Sequence, residues 1–522
     1  MLLTMPIRFS KSRLLAFRQC ERRLWLELHH PEVRQDDGAS MAAFAVGHQV
    51  GDIARGLYDP DRIGVLLDPL AEGVDTALAR TQASLASAQP VFEAGFAGAG
   101  GLAFADILLP LEKAGQRRWR MVEVKSSTSV KDYYHDDAAI QAYVAKAAGL
   151  PLDAIVLAHV DAGWVYPGGG DYRGLLVEHD LTDSAFARGP EVQAWIARAQ
   201  YVAALAHEPD VRPGGHCKAP NACGFAAHCR GGGKQAEYPL EWLPKQGSRA
   251  VKKRIEDGAA DMREVEDGLL NAKQQRVKQH TLSNAAYFDA SGAAADLAPY
   301  GLPAWFIDFE TISFTVPIWK GTSPYEKIPF QFSVHRLAPS GELAHQAFVD
   351  LSGGDPSLAF AEALIGACGT HGPVFVYNAA FETGRIAELA ARFPRLAREL
   401  LAINARVVDL LPIDRERYYH PGQQGSWSIK RVLPSVAPDL RYDGLDEVQD
   451  GGAAMQAYVE AIDQRTSAAR RQQIERQLLD YCHLDTLAMV RLWQFFSGQQ
   501  PLPVPPASPS LSEHLPETAC PT

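Results

Sequence analysis

The segment WFIDFETISF, residues 305–314, constrains the chain more than any other. Trp305, Phe306, Ile307 and Phe309 predict a buried β-strand, yet Asp308 and Glu310 lie inside it. Side chains at i and i+2 of a strand share a face. Two carboxylates on one face of a core strand are costly to desolvate. A fold that buries this strand must therefore give the pair a reason to be there, and a cation is the simplest one.

Three later segments carry matching groups. VFVYNAAFETGRI (374–386) predicts a buried strand that runs through Asn378 into a helix and presents Glu382. ARVVDLL (405–411) places Asp409 after a short apolar strand, either as a helix cap or in a direct role. LLDYCHLDTLAMVRLW (478–493) predicts a helix. Its Tyr481 and Asp485 are four apart and so share a face, with Leu478, Ala488 and Leu492. Hard divalent cations such as Mg²⁺ and Mn²⁺ bind carboxylate oxygens. Acids gathered from separate segments suit a two-metal site for phosphodiester hydrolysis. Lys430 and Arg431, in GSWSIKRVL, lie either near phosphates or on a solvated helix face.

The order DFE, NAAFE, YCHLD resembles the DnaQ-like, ribonuclease H-like DEDD 3′–5′ exonucleases of the tyrosine subtype, over roughly 304–497. The resemblance implies Asp308, Glu310, Glu382 and Asp485 as metal ligands and Tyr481 as the residue that orients the attacking water. Glu382 stands where that family usually carries Asp. His483 is not at the position of the histidine subtype.

The N-terminal half has its own constellation. FADILLP followed by MVEVKSS gives Asp106, Glu123 and Lys125, with Glu123 and Lys125 on one strand face. An acid pair can hold Mg²⁺, and an adjacent lysine can position water and stabilise a phosphorane-like charge. The pattern D-x(16)-E-x-K resembles the PD-(D/E)XK nucleases. Gln141 and Tyr143 in DDAAIQAYV resemble the glutamine/tyrosine motif of the RecB-type members. His48 is either an additional ligand or a surface histidine, and Glu93 either a helper acid or a solvated strand residue. Arg13, Arg18, Arg22 and Arg23 lie on a basic N-terminal segment, facing phosphate or solvent.

Cys217, Cys223 and Cys229 are spaced C-x5-C-x5-C, with Cys20 far upstream. One early and three late cysteines around such a core resemble the iron–sulfur RecB-type nucleases. The resemblance implies a [4Fe–4S] cluster on these four thiolates. Zinc is the competing ligand, with His216 and His228 as spare donors, although the C-x(2–4)-C pairs of structural zinc sites are absent. Cys368, Cys482 and Cys520 read as ordinary thiols.

The length of 522 residues predicts two to four domains. With 51 Lys and Arg against 62 Asp and Glu, the formal charge of −11 excludes a uniformly basic nucleic-acid coat but not a local basic channel. The N-terminus lacks a signal-peptide core, and no apolar run reaches the roughly 18 residues of a membrane span. A cytoplasmic protein with reduced thiols is expected.

Helices are predicted over 10–30, 41–58, 134–148, 183–207 and 470–497. Strands are predicted across 91–125, at 152–161, and near 304–312, 328–337, 346–350 and 373–377. The expected organisation is an α/β chain of four parts. Residues 1–235 form a restriction-endonuclease-like PD-(D/E)XK domain with the cysteine cluster, and 236–303 a charged helical connector and linker. Residues 304–497 form a ribonuclease H-like mixed sheet with flanking helices. Residues 498–522, with seven prolines, form a disordered tail. The basic stretch Lys245, Arg249, Lys252, Lys253 and Arg254 falls in the connector.

The expected function is a metal-dependent nuclease acting on DNA, with RNA not excluded. The C-terminal domain would be the 3′–5′ exonuclease, and the N-terminal domain a second nuclease or a DNA clamp. The alternative is a nucleic-acid-binding or assembly module of a repair or defence system with one or both sites silent. The sequence names no protein partner.

Overall fold

The computed structural model describes residues 7–35, 38–230, 236–244, 249–256, 259–503 and 507–511. Lys245 and Cys520 lie outside them. The chain is mixed α/β and divides into two compact units, residues 1–234 with 314–326, and 235–313 with 327–522.

Unit 1 is built on a mixed seven-stranded sheet. Its strands are β1 (Phe9–Ser10), β2 (Val65–Leu66), β3 (Val91–Gly98), β4 (Gly101–Lys113), β5 (Gln116–Lys125), β6 (Leu152–Val160) and β7 (Leu176–Asp180). They run in the order β2-β3-β4-β5-β6-β7, with β1 paired to β4. β3, β4 and β5 form an antiparallel meander, and β6 is parallel to β5. The helices that matter are α1 (Lys11–Gln19), α2 (Glu21–His29), α3 (Gly38–Tyr58), α4 (Asp132–Ala147) and α5 (Gly189–Ala203).

The single helix expected over 10–30 is two helices. The chain breaks at Cys20, which is extended at φ −164° and ψ 125°. α4 is the β5–β6 crossover. It buries Ala138, Ala139, Ala142, Val144 and Ala145. A Cβ at Gly98 would come within 2.7 Å of the Ala148 backbone, so a glycine there lets α4 lie against the β3–β4 hairpin. The loop 314–326 also belongs to this unit. Val316 is buried with Val50, Val160 and Leu175, and the Tyr166 N–H donates to Thr322 O at 2.9 Å.

Unit 2 has a five-stranded sheet of β9 (Ala304–Ser313), β10 (Lys327–Leu337), β11 (Leu343–Val349), β12 (Val374–Val376) and β13 (Val407–Asp409), after a short β8 (Tyr287–Phe288). The order is β11-β10-β9-β12-β13. β10 is antiparallel to both neighbours, whereas β9, β12 and β13 pair in parallel. β14 (Tyr418–Tyr419) pairs with β8. Helices α6 (Ala290–Leu297), α7 (Ser357–Ala367), α8 (Ala380–Arg392), α9 (Ile429–Val436) and α10 (Ala468–Ser497) complete the part that carries the site. α10 is buried along most of Leu478–Phe496 and packs on β9, β10 and β11. It stops at Gly498, a left-handed cap at φ 71°.

Two boundaries differ from expectation. The segment 236–303 is not a bare connector: Leu240, Leu243, Met262, Val265, Val277 and Leu297 are buried in one cluster with Tyr419, Trp427 and Trp493. Its apolar positions are too scattered for the amphipathic stripe that announces a core helix. The proline-rich tail is ordered in part. Ser510 is 1 % exposed and bridges to β11 at Ala347, its hydroxyl accepting from Val349 N–H at 2.9 Å. Backbone docking of this kind leaves no hydrophobic signature. Among the described residues, no helix is long and apolar enough to cross a membrane.

Candidate functional site

The β9–β12 pairing runs through Trp305↔Val374 and Phe306↔Phe375. β12 ends at Val376, so the edge of β9 at Asp308 and Glu310 faces a gap. The chain leaves β12 through Asn378, held at φ +81°, and enters α8, whose first turn carries Glu382. Both carboxylate oxygens of Asp409 pin this turn: Oδ1 accepts from Asn378 N–H at 2.9 Å and Oδ2 from Ala379 N–H at 3.0 Å. Asp409 also caps its own helix at Leu411 N–H. It is thus a cap that orients Glu382, and not itself a site acid.

α10 crosses the gap and supplies Tyr481 and Asp485. The result is a cavity of about 250 Å³ lined by Asp308, Glu310, Glu382, Lys430, Tyr481 and Asp485, with an apolar side of Phe309, Phe381, Ile429 and Met489. Ligand oxygens of Asp308, Glu310 and Asp485 all lie within 4.8 Å of one another. Among the described residues, no other set of three or more His, Cys, Asp or Glu side chains converges so tightly. Glu382 shares the cavity but stands outside that tight triad.

The acids are short of positive partners. Burial, then Asp485, Glu310 and Glu382, hold the Asp308 carboxyl well above its ordinary range. Burial and Asp485 push Glu310 up to about 8, against the pull of Lys430. Burial raises Glu382 to about 8, and its Oε2 is buried with no hydrogen-bond partner. Asp485 is pushed by burial to about 6, moderated by Tyr442 and Lys430. Four crowded acids and an orphaned oxygen fit a divalent-cation site.

Two more residues complete this site, of which Tyr442 was announced by no motif. The Tyr442 hydroxyl donates to Asp485 Oδ1 at 2.6 Å. The Lys430 ammonium donates to Tyr481 Oη at 3.1 Å and to Gln449 O at 2.6 Å. Lys430 thereby lines the cavity rather than standing on a fully exposed helix face. Tyr442 sits in an irregular segment with no periodicity to mark it.

In unit 1, β5 brings Glu123 and Lys125 to the sheet as expected, beside Asp106 on β4. The surroundings differ from an open acid pair. Glu123 Oε1 accepts from Lys125 Nζ at 2.6 Å and from Lys11 Nζ at 2.8 Å, while Oε2 accepts from the Gln141 amide. Asp137 accepts from Lys125 at 2.7 Å and contacts Lys11 at 3.2 Å. Burial lowers the proton affinity of both ammoniums, but Asp137 and Glu123 more than offset it and raise both above the ordinary lysine range. Asp106 Oδ2 accepts from Val124 N–H at 2.7 Å, and burial and Glu123 push its carboxyl up to about 8.

Lys11 and Asp137 were invisible as site residues: one reads as a solvated helix start, and the other hides in an acidic run. Glu93 lies within β3 at φ +55°, within electrostatic reach of Glu123, Lys11 and His48. His48 is exposed.

Cys20, Cys217, Cys223 and Cys229 are free and half-buried. The α1–α2 break carries Cys20. Cys217 ends a 3-10 turn (Gly215–Cys217) and Cys229 lies in a short helix (Ala226–Arg230), with Cys223 N–H donating to Cys217 O at 2.9 Å and the Gln19 amide tying the segment to α1 through His216 O and Asn221 O. Burial raises the Cys20 and Cys229 thiols, against the pull of the Arg22 and Arg23 N–H groups at Cys20 and of the Arg22 charge at Cys229; the other cysteines add smaller upward contributions, so the four lie within electrostatic reach of one another. A set of four thiols from both ends of the unit fits a thiolate-ligated cofactor. Of the basic residues, Arg18 pairs with Asp136, Arg22 with Glu208 and Arg23 with Glu27, which leaves them poorly placed for phosphate.

Residues 305–428 match a family model described as a domain of unknown function (DUF2779). No curated protein matches the chain. The matched span includes Asp308, Glu310 and Glu382 and ends before Lys430, Tyr481 and Asp485.

Proposed function

We propose that unit 2 is a divalent-cation-dependent nuclease, a 3′–5′ exonuclease of the DnaQ-like, ribonuclease H-like class acting on single-stranded DNA or DNA ends. The observation that carries the reading is the convergence of Asp308, Glu310 and Asp485 within 4.8 Å, with Glu382 in the same cavity. The sheet order, with only its second strand antiparallel to the rest, supports it. Mg²⁺ or Mn²⁺ held by these four acids would supply water activation and leaving-group stabilisation. The chain's own groups then divide the remaining work. Tyr481 orients the attacking water, Tyr442 holds Asp485 in place, and the apolar wall of Phe381, Ile429 and Met489 receives the terminal base.

Unit 1 is read as a RecB-like PD-(D/E)XK domain. Its lysines occupy the oxygens of Glu123 and Asp137, which favours a DNA-clamping role over a second hydrolytic centre. The four cysteines would hold a [4Fe–4S] cluster, a structural staple between the ends of the unit, with zinc as the alternative ligand. Reduced thiols suit a cytoplasmic setting.

The test uses 3′- and 5′-labelled single-stranded DNA with Mn²⁺. Wild type should release 3′ label first, Asp308→Ala should release none, and Lys125→Ala should remain active. Wild type without cation-dependent loss of label would refute the nuclease reading. Preference for the matching RNA would move the substrate class.

A further inference from the structure

Lys430 is held more tightly than a phosphate-seeking lysine would be. An ammonium has three N–H donors and no acceptor. Two of those donors are engaged, by Gln449 O at 2.6 Å and Tyr481 Oη at 3.1 Å. The Nζ also lies 5.0 Å from the Tyr442 ring centroid and 4.7 Å from that of Tyr481, between two aromatic faces. Cation–π contact adds to the hold.

The donor count fixes the direction of the Tyr481 hydroxyl. Lys430 can only donate, so Tyr481 Oη is the acceptor and its own hydrogen points away from the lysine. Asp485 lies one helical turn along α10 and lines the same cavity as Tyr481. Tyr442 donates to Asp485 Oδ1 at 2.6 Å and is committed to that oxygen. Without Lys430, the Tyr481 hydroxyl could rotate to offer either its hydrogen or its lone pair toward the cavity.

We infer that Lys430 is a positioning residue that fixes the Tyr481 hydroxyl with its hydrogen turned away from the lysine and toward the acid-lined cavity, so that the acid cluster meets one orientation of the tyrosine. This rests on the nuclease reading above. It differs from direct phosphate binding, in which the lysine would act independently of Tyr481.

A double-mutant cycle on the full chain separates the two. Lys430→Met, Lys430→Arg, Tyr481→Phe and the Lys430→Met/Tyr481→Phe pair are assayed on labelled single-stranded DNA with Mn²⁺, alongside Mn²⁺ titration calorimetry. Lys430→Met and Tyr481→Phe should each lower kcat by on the order of 10²-fold with KM changed less than about threefold. The double variant should be no slower than the slower single, and Lys430→Arg, also donor-only, should recover part of the rate. Multiplying losses in the double variant, or a loss confined to KM, would overturn the inference while leaving the nuclease reading standing. A wild type that binds Mn²⁺ yet releases no label would remove that reading, and the inference with it.

Discussion

Tyr442 donates its hydroxyl to Asp485 Oδ1 at 2.6 Å, across 43 residues of chain. This bond ties down an acid whose ligand oxygen lies within 4.8 Å of those of Asp308 and Glu310. Outer partners of this kind orient a ligand and tune its affinity, typically by 10- to 100-fold. Tyr442→Phe should therefore weaken Mn²⁺ binding by about tenfold, measured by calorimetry on the full chain. Unchanged affinity would mean that Asp485 is held by α10 alone.

The pH dependence of stability has a definite sign. Glu310 and Glu382 sit at about 8, Asp485 at about 6, and Asp308 well above its ordinary value. Their unfolded values lie near ~4. The folded state therefore binds more protons, and stability present at low pH is lost as pH rises toward about 8. In EDTA, the thermal midpoint of unit 2 should fall between pH 6.5 and 8. Saturating Mn²⁺ should reverse the trend, because the cation binds the ionised acids. A midpoint that rises with pH in EDTA would contradict the account.

A histidine group on β10, β11 and α10 has the opposite sign. His335, His345 and His483 lie with ring centroids 4.5–4.9 Å apart. Burial holds His335 well below its usual value and His345 down at about 3. Ser333, Thr486 and the Ser508 N–H are their polar neighbours. Both histidines are neutral when folded, so their contribution is complete above about 6.5 and lost as pH falls. The stability gap between wild type and His345→Gln should shrink from pH 7 to pH 4.5. A constant gap would show that His345 does not titrate on unfolding.

How much of this was legible follows from the kind of signal each residue leaves. Asp308 and Glu310 stand out because a strand's period of two makes two acids in an apolar run conspicuous. Tyr481 and Asp485 stand out by the helical period. Lys11 and Asp137 were missed because a charged residue at a helix start, or in the run His135-Asp136-Asp137, looks solvated until the sheet folds against it. Tyr442 lies in a segment without a period. The break at Cys20 has neither glycine nor proline to mark it, and the residues of 236–303 join the unit 2 core through scattered apolar contacts. Long-range packing decided all of these.

The cysteine set makes its own prediction. Protein prepared anaerobically should be brown, with broad absorbance near ~400 nm from a thiolate-bound cluster. Cys20→Ser should lose the colour and Cys368→Ser should keep it, since Cys368 is buried apart in unit 2. Colourless protein with stoichiometric zinc would replace the cluster with a zinc site.

The most direct measurement is the rate of mononucleotide release from single-stranded DNA by wild type and by Asp308→Asn, each with Mn²⁺ and with EDTA. Asparagine keeps the shape of the side chain and removes one ligand charge. Wild type should release mononucleotides with Mn²⁺ only, and Asp308→Asn should lose at least about 10²-fold. Equal rates in the two proteins, or release by wild type in EDTA, would contradict it.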